Sequence, residues 1–247
     1  MDTYLGSIKS FVAELAKSIE IVEAVQMDNV HLLITHKYFI YIYLPGAVRQ
    51  ENSEYLASIH IDIDQVSNDS SKIIKRIRGL HGLGERVYAR QTVVARVDKR
   101  NALHFLEEHH LNMAFPGKYR YGLYLKGELV SVAVFSGGRH MRDLGDAYRS
   151  FELIRFCHKG DLLVVGGLSK LIKAFVKDFN PQDIMTYADL DWTQESSLAA
   201  IGFVAIDKTI PQQFYVVNGI RKSNLLETDQ NYYTIENRGS LKLKLIL

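Results

Sequence analysis

The 247-residue sequence has very little cysteine and no marked excess of charge of either sign. Its one cysteine, Cys157, excludes a disulfide framework and a cysteine-rich zinc module. Thirty Lys and Arg residues oppose 28 Asp and Glu residues, so the net charge of +2 excludes a surface that is acidic or basic throughout. A local basic patch stays compatible with that balance.

The sequence also lacks a long apolar run and an amino-terminal segment with a basic region followed by an apolar one. We therefore expect a soluble, cytoplasmic protein. Hydrophobic residues make up 47% of the chain, which is enough for a full core. The length allows one large domain or two modest ones.

The hydrophobic pattern alternates between the strand period and the helix period. It predicts an α/β fold in which helices pack on a mixed sheet. Helical patterns occupy residues 7–18, 68–80, 99–109, 167–179 and 194–203. Strand patterns include residues 19–25, 30–36, 38–44, 55–66, 87–98, 148–158 and 183–192, with a hairpin over 119–137 that turns at Lys126 and Gly127. Residues 203–207 and 212–219 are predicted to form a further strand pair.

Residues 55–66 alternate most clearly. Ile59, Ile61 and Ile63 would lie on one strand face, and His60, Asp62 and Asp64 on the other. The three polar side chains could hold a hard divalent ion. The solvated face of a half-buried strand explains the same pattern, and we predict no metal site.

A strand pattern that ends in two glycines and opens into a helix gives the most informative motif. Glycine lets a phosphate approach backbone N–H groups at the positive end of a helix. Such a turn also occurs for packing reasons alone. The candidate ligand-binding residues of this turn, which we call the glycine turn, are Val165, Gly166, Gly167, Leu168, Ser169 and Lys170.

Several further segments occur around the glycine turn in a fixed order. They are Gly122-Leu123-Tyr124, then 152–156 (ELIRF), 186–189 (TYAD) and 199–203 (AAIGF). Together with the glycine turn, they resemble the GNAT acyltransferase superfamily. The closest resemblance is to the GNAT-like carboxy-terminal domain of phage and bacterial proteins whose amino-terminal part is endonuclease-like. The resemblance spans about residues 88–247 and implies a GNAT-like fold with acetyl-CoA or a related acyl-CoA as cofactor.

Three leucines depart from that family's pattern. Leu163 replaces the Arg or Gln that opens the phosphate-binding turn, and Leu168 replaces a small residue within it. Leu198 stands where the family often has a tyrosine that acts as general acid. Tyr187 is the candidate replacement for that acid.

Two more residues are candidates for contact with the acceptor. Arg155 could bind an acidic group of the substrate through two hydrogen bonds, or form a structural ion pair. Asp189 shares a strand face with Asp191 near a strand end, where ligands of α/β folds collect. It could act as a base or orient an amine, or it could cap the following turn.

The helix over residues 68–80 concentrates positive charge. Its basic side chains are candidates for contact with a nucleic-acid backbone, or form an ordinary solvated face. They are Lys72, Lys75, Arg76 and Arg78. The surrounding segment resembles the junction between the two halves of phage-type homing endonuclease relatives, but residues 1–90 contain no Asp…Glu-x-Lys metal site.

The sequence therefore predicts two domains. Residues 1–90 would form a degenerate endonuclease-like or adaptor domain, and residues 91–247 a GNAT-like acyltransferase domain. The predicted function is an acyl-CoA-dependent N-acyltransferase that could act on or near nucleic acid. The alternative is a non-enzymatic nucleic-acid-binding protein that retains both folds.

Overall fold

The computed structural model describes residues 2–51, 56–145, 147–192 and 197–247, without the side chains of Asp2, Thr3 and Ser197. The helices are α1 (Asp2–Ala16), α2 (Ile63–Leu80), α3 (Lys99–His109), α4 (Gly167–Phe179) and α5 (Ser197–Ala200). Within these ranges, no helix combines the length and the apolar character that a membrane crossing needs.

Strands make up most of the remaining regular structure. In the first half of the chain they are β1 (Glu23–Met27), β2 (Val30–Ile34), β3 (Tyr38–Tyr43), β4 (Ala57–Asp62), β5 (Glu85–Tyr88), β6 (Val93–Arg96), β7 (Tyr119–Leu125) and β8 (Glu128–Phe135). In the second half they are β9 (Arg139–His140), β10 (Arg149–His158), β11 (Leu162–Val165), β12 (Asp183–Asp189), β13 (Val204–Lys208), β14 (Gln213–Val217), β15 (Ile220–Lys222), β16 (Tyr232–Glu236) and β17 (Ser240–Ile246). The predicted α/β class with mixed sheets is confirmed.

The chain divides into two compact units. Unit 1 contains residues 1–81, 189–194 and 208–241, and unit 2 contains residues 82–188, 195–207 and 242–247. The sequence predicted a single boundary at residue 90. The structure differs because two later segments join the amino-terminal part, for example through the His60 N–H, which donates to the Asp191 carbonyl at 2.7 Å. The functions assigned to the two halves stay predictions.

Unit 1 is built on the sheet β1-β2-β3-β4, in which only β3 and β4 run parallel. Its interior is aliphatic, since the isoleucines of β3 and β4 are fully buried, as are Leu15 of α1 and Ile77 of α2. A second sheet, β15-β14-β16, is antiparallel. Helices α1 and α2 contact each other and cover apolar surface of the unit.

Strand β4 is shorter than predicted. The sequence pattern continued the strand to residue 66, but the chain becomes helical at Ile63. Asp62 caps this helix, and its backbone N–H donates to the Gln65 side chain at 3.0 Å. This local bonding prevails over the alternation of apolar residues. The predicted helix start near residue 68 is instead a kink at Asp69.

The main sheet of unit 2 has the order β13-β17-β12-β10-β8-β7-β6, and β9 pairs with β10. Helix α4 packs on this sheet through Phe175, whose ring stacks on that of Phe135 at 3.9 Å between centroids. The predicted hairpin is confirmed, and both Lys126 and Gly127 have the positive φ that its turn requires.

Two other expectations need correction. The predicted strand over residues 87–98 is interrupted by a short 3-10 turn over Ala89–Gln91, which separates β5 from β6. The segments 203–207 and 212–219 were predicted to pair, but β13 adjoins β17 while β14 adjoins β15 and β16. Part of the predicted helix over 194–203 lies outside the described residues.

Candidate functional site

In unit 2, the parallel strands β10 and β12 separate after a short paired stretch. Residues 150–152 pair with residues 183–185, and Arg149 and Ser150 also pair with β9. Beyond residue 152, β10 pairs only with β8, on its other edge, within the described sheet. The Thr186 hydroxyl donates to the Leu153 carbonyl at 2.8 Å where the strands part. The remaining edge of β10 can therefore offer peptide groups to a ligand that contains amides.

The glycine turn follows β11 and starts α4. Gly166 has φ +76°, and no side chain caps the helix at this position. Val165 is 50% exposed and Gly166 is also exposed, so the backbone before the helix is accessible. A helix of this length directs its positive end and its first N–H groups toward a ligand placed there.

Gly167 has no room for a side chain. A Cβ atom there would lie 2.9 Å from Cε1 of His158 and 3.1 Å from a methyl group of Val164. Burial lowers the pKa of His158 to about 4, so the imidazole beneath the turn is neutral. Its Nδ1 lies 2.7 Å from the Ser131 hydroxyl, which holds the ring in place.

The Leu168 side chain points into the protein. It is only 4% exposed, so it does not project from the turn into the space in front of the helix. The leucine that departs from the family pattern therefore does not block this approach. Ser169, by contrast, is partly exposed in the first helical turn.

Lys170 has a different position from the one expected for a phosphate ligand. Its ammonium donates to the Ala89 carbonyl at 2.8 Å and also to the Thr92 carbonyl. Two of its three N–H bonds are thus used to anchor the 3-10 turn between β5 and β6. Its charge still lies near the amino terminus of α4.

The three candidates for catalysis make separate contacts. Arg155 donates to the carbonyls of Met113 at 3.1 Å and Ile154 at 2.8 Å, so its guanidinium binds backbone and forms no ion pair with Glu152 in the described structure. Tyr187 is 44% exposed. The catalytic roles of Arg155, Tyr187 and Asp189 stay predictions.

Asp189 has a local partner instead. Its carboxylate accepts a hydrogen bond from the Asp191 N–H at 2.9 Å, which is the capping arrangement weighed for this residue. Burial raises its pKa, although the charges of nearby arginines, Arg76 and Arg221 among them, act in the opposite direction.

The polar side chains at the end of β4 and the start of α2 are the main feature that sequence reasoning misread. His60 is 1% exposed, Asp62 2% and Asp64 5%, so these side chains are not solvated. Arg221 donates to both carboxylates at 3.0 Å, and Arg49 donates to Asp62 at 2.9 Å. The carboxylate oxygens therefore accept hydrogen bonds from arginines. Among the described residues, no cluster of His, Cys, Asp or Glu side chains could hold a metal ion.

This ion network extends to Asp191. Arg49 approaches its carboxylate at 3.4 Å, and the Arg238 N–H donates to it at 3.2 Å. Burial nevertheless raises the pKa of Asp191 to about 7, because the nearby carboxylates of Asp189 and Asp62 add repulsion. The network links β4 to the two later segments of unit 1.

His60 has a defined tautomer within the network. Burial, with the charges of Arg238 and Arg49, lowers its pKa to about 3, so the ring is neutral. Arg238 donates to Nε2 at 2.9 Å, and a guanidinium cannot accept a hydrogen bond. Nδ1 therefore carries the proton and donates to the Tyr43 hydroxyl at 2.7 Å.

The basic residues of α2 do not form a uniformly solvated face. Lys72 pairs with Asp69 at 2.5 Å, and the guanidinium of Arg76 lies over the Trp192 ring. Lys75 and Arg78 are partly exposed. Contact between these residues and nucleic acid stays a prediction.

No protein-family model matches the chain, and no curated protein is detectably similar to it in sequence. Solved structures with a similar arrangement include the IAA acetyltransferase from Bacillus cereus ATCC 14579. That structure has 13% identity and a TM-score of 0.36, and the alignment covers 63% of this chain and 99% of the other.

Two further acetyltransferases show a comparable likeness. Ard1 from Thermoplasma volcanium has 10% identity and a TM-score of 0.41, with 64% of this chain and 98% of the other covered. A GNAT family acetyltransferase from Elizabethkingia anophelis with acetyl-CoA bound has 12% identity and a TM-score of 0.36, with 64% and 99% covered. Likeness at this level assigns no activity.

Proposed function

We propose that unit 2 binds an acyl-CoA and transfers its acyl group to an amine. The observation that carries this proposal is the separation of β10 from β12 in the same unit as the exposed, uncapped amino terminus of α4. The free strand edge suits the amide groups of a pantetheine chain, and the helix terminus suits a diphosphate.

The residues of the turn fit such a ligand. Gly166 and Gly167 leave backbone, not side chains, at the start of the helix, and Leu168 is buried. The ligand would supply a thioester carbon for attack by an amine, with formation of a C–N bond and loss of the thiolate. Leu198 cannot donate a proton to that thiolate, so Tyr187 is the proposed proton donor.

Ser169 allows a test that does not depend on a destabilised protein. An acidic residue in the first turn of a helix is favourable for folding, yet it repels a bound diphosphate. We expect Ser169→Glu to weaken CoA and acetyl-CoA binding at least about tenfold in calorimetry, and Ser169→Gln to have a smaller effect. Wild-type protein that gives no binding heat with either ligand would refute the proposal.

Transfer itself needs a separate measurement. Release of free thiol from acetyl-CoA in the presence of a polyamine or a peptide amine would show turnover. Tyr187→Phe should lower that rate without a matching loss of CoA affinity, because the phenol is proposed to act only on the leaving thiolate. An unchanged rate would remove Tyr187 from the reaction.

A further inference from the structure

A cavity of about 260 Å³ lies in unit 2 between helix α3 and the turn of the β7–β8 hairpin. It opens on the face of the hairpin that is turned away from α4. Tyr121 of β7 contacts Phe175 of α4, whereas Tyr124 and Leu129 line the cavity and pack on the apolar cluster that contains Phe105 of α3. Among the described residues that line the cavity, none belongs to the glycine turn.

A register shift in the hairpin places Leu129 beside the cavity. Tyr124 is opposite Leu129, whereas its preceding neighbour is opposite Ser131. Val130 is therefore an extra residue in the ladder, and without it Leu129 would point to the other face of the sheet. The space beneath this side chain depends on Gly122, since a Cβ atom there would lie 2.5 Å from Cδ1 of Leu129.

The cavity combines an apolar floor with a carboxylate at its mouth. Phe105 is only 7% exposed, whereas the side chain of Glu108, three residues later on α3, is 59% exposed. The Glu108 oxygens lie 3.9 Å from Nδ1 of His104 and 3.7 Å from Nε2 of His109, which is too far for a hydrogen bond. Within the described chain, both oxygens of Glu108 thus keep the capacity to accept from a ligand.

The charge at the mouth is negative. The described residues that line the cavity include no lysine or arginine. The pKa of Lys159 is raised mainly by its hydrogen bond to Glu128 and in part by the charge of Glu108, so this ammonium already has a carboxylate partner. A cation from solution is therefore the complementary ligand for Glu108.

We infer that this cavity binds a small organic amine with a flat apolar group, its ammonium at Glu108 and its apolar group beside Phe105 and Tyr124. An ammonium donates strongly to a carboxylate and is attracted by aromatic faces. The volume is near the lower end of small-molecule sites, about 300 Å³, which favours a compact ligand. The inference goes beyond the proposed function and does not depend on it, because the glycine turn is not part of this cavity.

The test titrates the full chain with 2-phenylethylamine in the absence of CoA and follows the backbone amide signals by NMR. Signals of α3 and of the β7–β8 turn should shift on binding. 2-Phenylethanol, which keeps the ring and lacks the charge, should bind at least about fivefold more weakly. Glu108→Gln should weaken binding of the amine by a similar factor, and Tyr124→Leu should also weaken it.

Glu107→Gln is the matched control. It removes the same charge from an exposed position of α3 that does not line the cavity, and it should change the affinity less than about twofold. A larger loss in Glu108→Gln than in Glu107→Gln is therefore the result that supports recognition of the ammonium by Glu108.

Three results would overturn the inference. They are equal affinity of wild type and Glu108→Gln for the amine, equal affinity of wild type for the amine and the alcohol, and no shifts at α3 and the hairpin turn with millimolar amine. Because no measurement includes an acyl-CoA, these results leave the proposed function standing. Failure of CoA binding or of acyl transfer would likewise leave the amine site standing.

Discussion

The guanidinium carbon of Arg76 lies 4.9 Å from the centre of the Trp192 ring. Trp192 is the only tryptophan of the chain and is 5% exposed, so its fluorescence reports on the folding of unit 1. The contact also joins α2 to the segment that follows β12. An arginine predicted for nucleic-acid contact thus has a structural partner.

Removal of this guanidinium should destabilise unit 1 slightly. We expect Arg76→Met to lower the free energy of unfolding by about 0.5–1 kcal/mol, since the ring loses a partly exposed cation–π contact. Urea unfolding followed by tryptophan fluorescence measures the loss. Lys9→Met, which removes an exposed charge from α1, should change the midpoint much less. Equal effects of both variants would show that the ring contact contributes nothing.

Asp191 should make the stability of unit 1 depend on pH. Its pKa is about 7 in the folded protein, against an ordinary value of 3.8, so the folded state binds a proton that the unfolded state has already lost. Stability attributable to Asp191 therefore falls as the pH rises from about 4 to 7, and changes little above that range. Asn cannot ionise, so Asp191→Asn should lack this dependence.

The measurement is the difference in unfolding free energy between wild type and Asp191→Asn, followed by Trp192 fluorescence at pH 5, 6, 7 and 8. The wild type should lose at least about 1 kcal/mol relative to the variant between pH 5 and 7. Asp62 and Asp189 are present in both proteins, so the comparison isolates the pH dependence that comes from Asp191. A difference that is constant with pH would mean that Asp191 is ionised throughout.

In unit 2, the fully buried carboxylate of Asp183 joins three elements. It accepts hydrogen bonds from the Tyr148 hydroxyl at 2.7 Å, from the Ser150 hydroxyl and from the Lys244 ammonium at 3.0 Å. Burial raises its pKa, but the three donors more than offset that effect, so the pKa lies below its usual value of 3.8. We expect Asp183→Ala to cost about 3 kcal/mol, because Lys244 then lacks its partner.

Unfolding in urea, followed by circular dichroism, tests this expectation. Tyr148→Phe removes a single donor and should cost only about 1 kcal/mol. A depressed carboxylate pKa means that the contribution is present above about pH 4 and is lost as the pH falls below it. The difference in unfolding free energy between wild type and Asp183→Ala should therefore become smaller in acid. A difference that grows in acid would contradict an ionised Asp183 in the folded protein.

Local signals predicted much of the fold. The β7–β8 hairpin was predicted because Gly127 readily adopts a positive φ, and α4 because its apolar residues recur at the helix period and Asn180 ends it. The predicted end of β4 at residue 66 was wrong, because isoleucine fits a strand and a helix alike. At Ile63, the capping bonds of Asp62 and Gln65 decide between the two.

The buried ion network could not have been predicted in the same way. Its partners are far apart in the chain, since Arg49 and Asp191 are separated by 142 residues and Asp64 and Arg221 by 157. Alternation over residues 55–66 placed His60, Asp62 and Asp64 on one predicted strand face but did not show what covers them. A pattern within one strand specifies which side chains share a face, whereas burial depends on segments that pack there later.

The two glycines of the glycine turn should differ in their response to alanine. At Gly166 there is space for a methyl group, and the cost comes from φ +76°, which we expect to be about 1 kcal/mol. Gly166→Asn should recover part of that loss, because asparagine tolerates the left-handed conformation.

At Gly167 the backbone is unstrained, but the methyl group would press on His158 and Val164 at 2.9 and 3.1 Å. Gly167→Ala should therefore cost about 1–3 kcal/mol and should not be rescued by asparagine. Thermal unfolding of four variants, with alanine and asparagine at each of the two positions, measures these costs. The assignment would be contradicted if asparagine were more stable than alanine at Gly167 but not at Gly166.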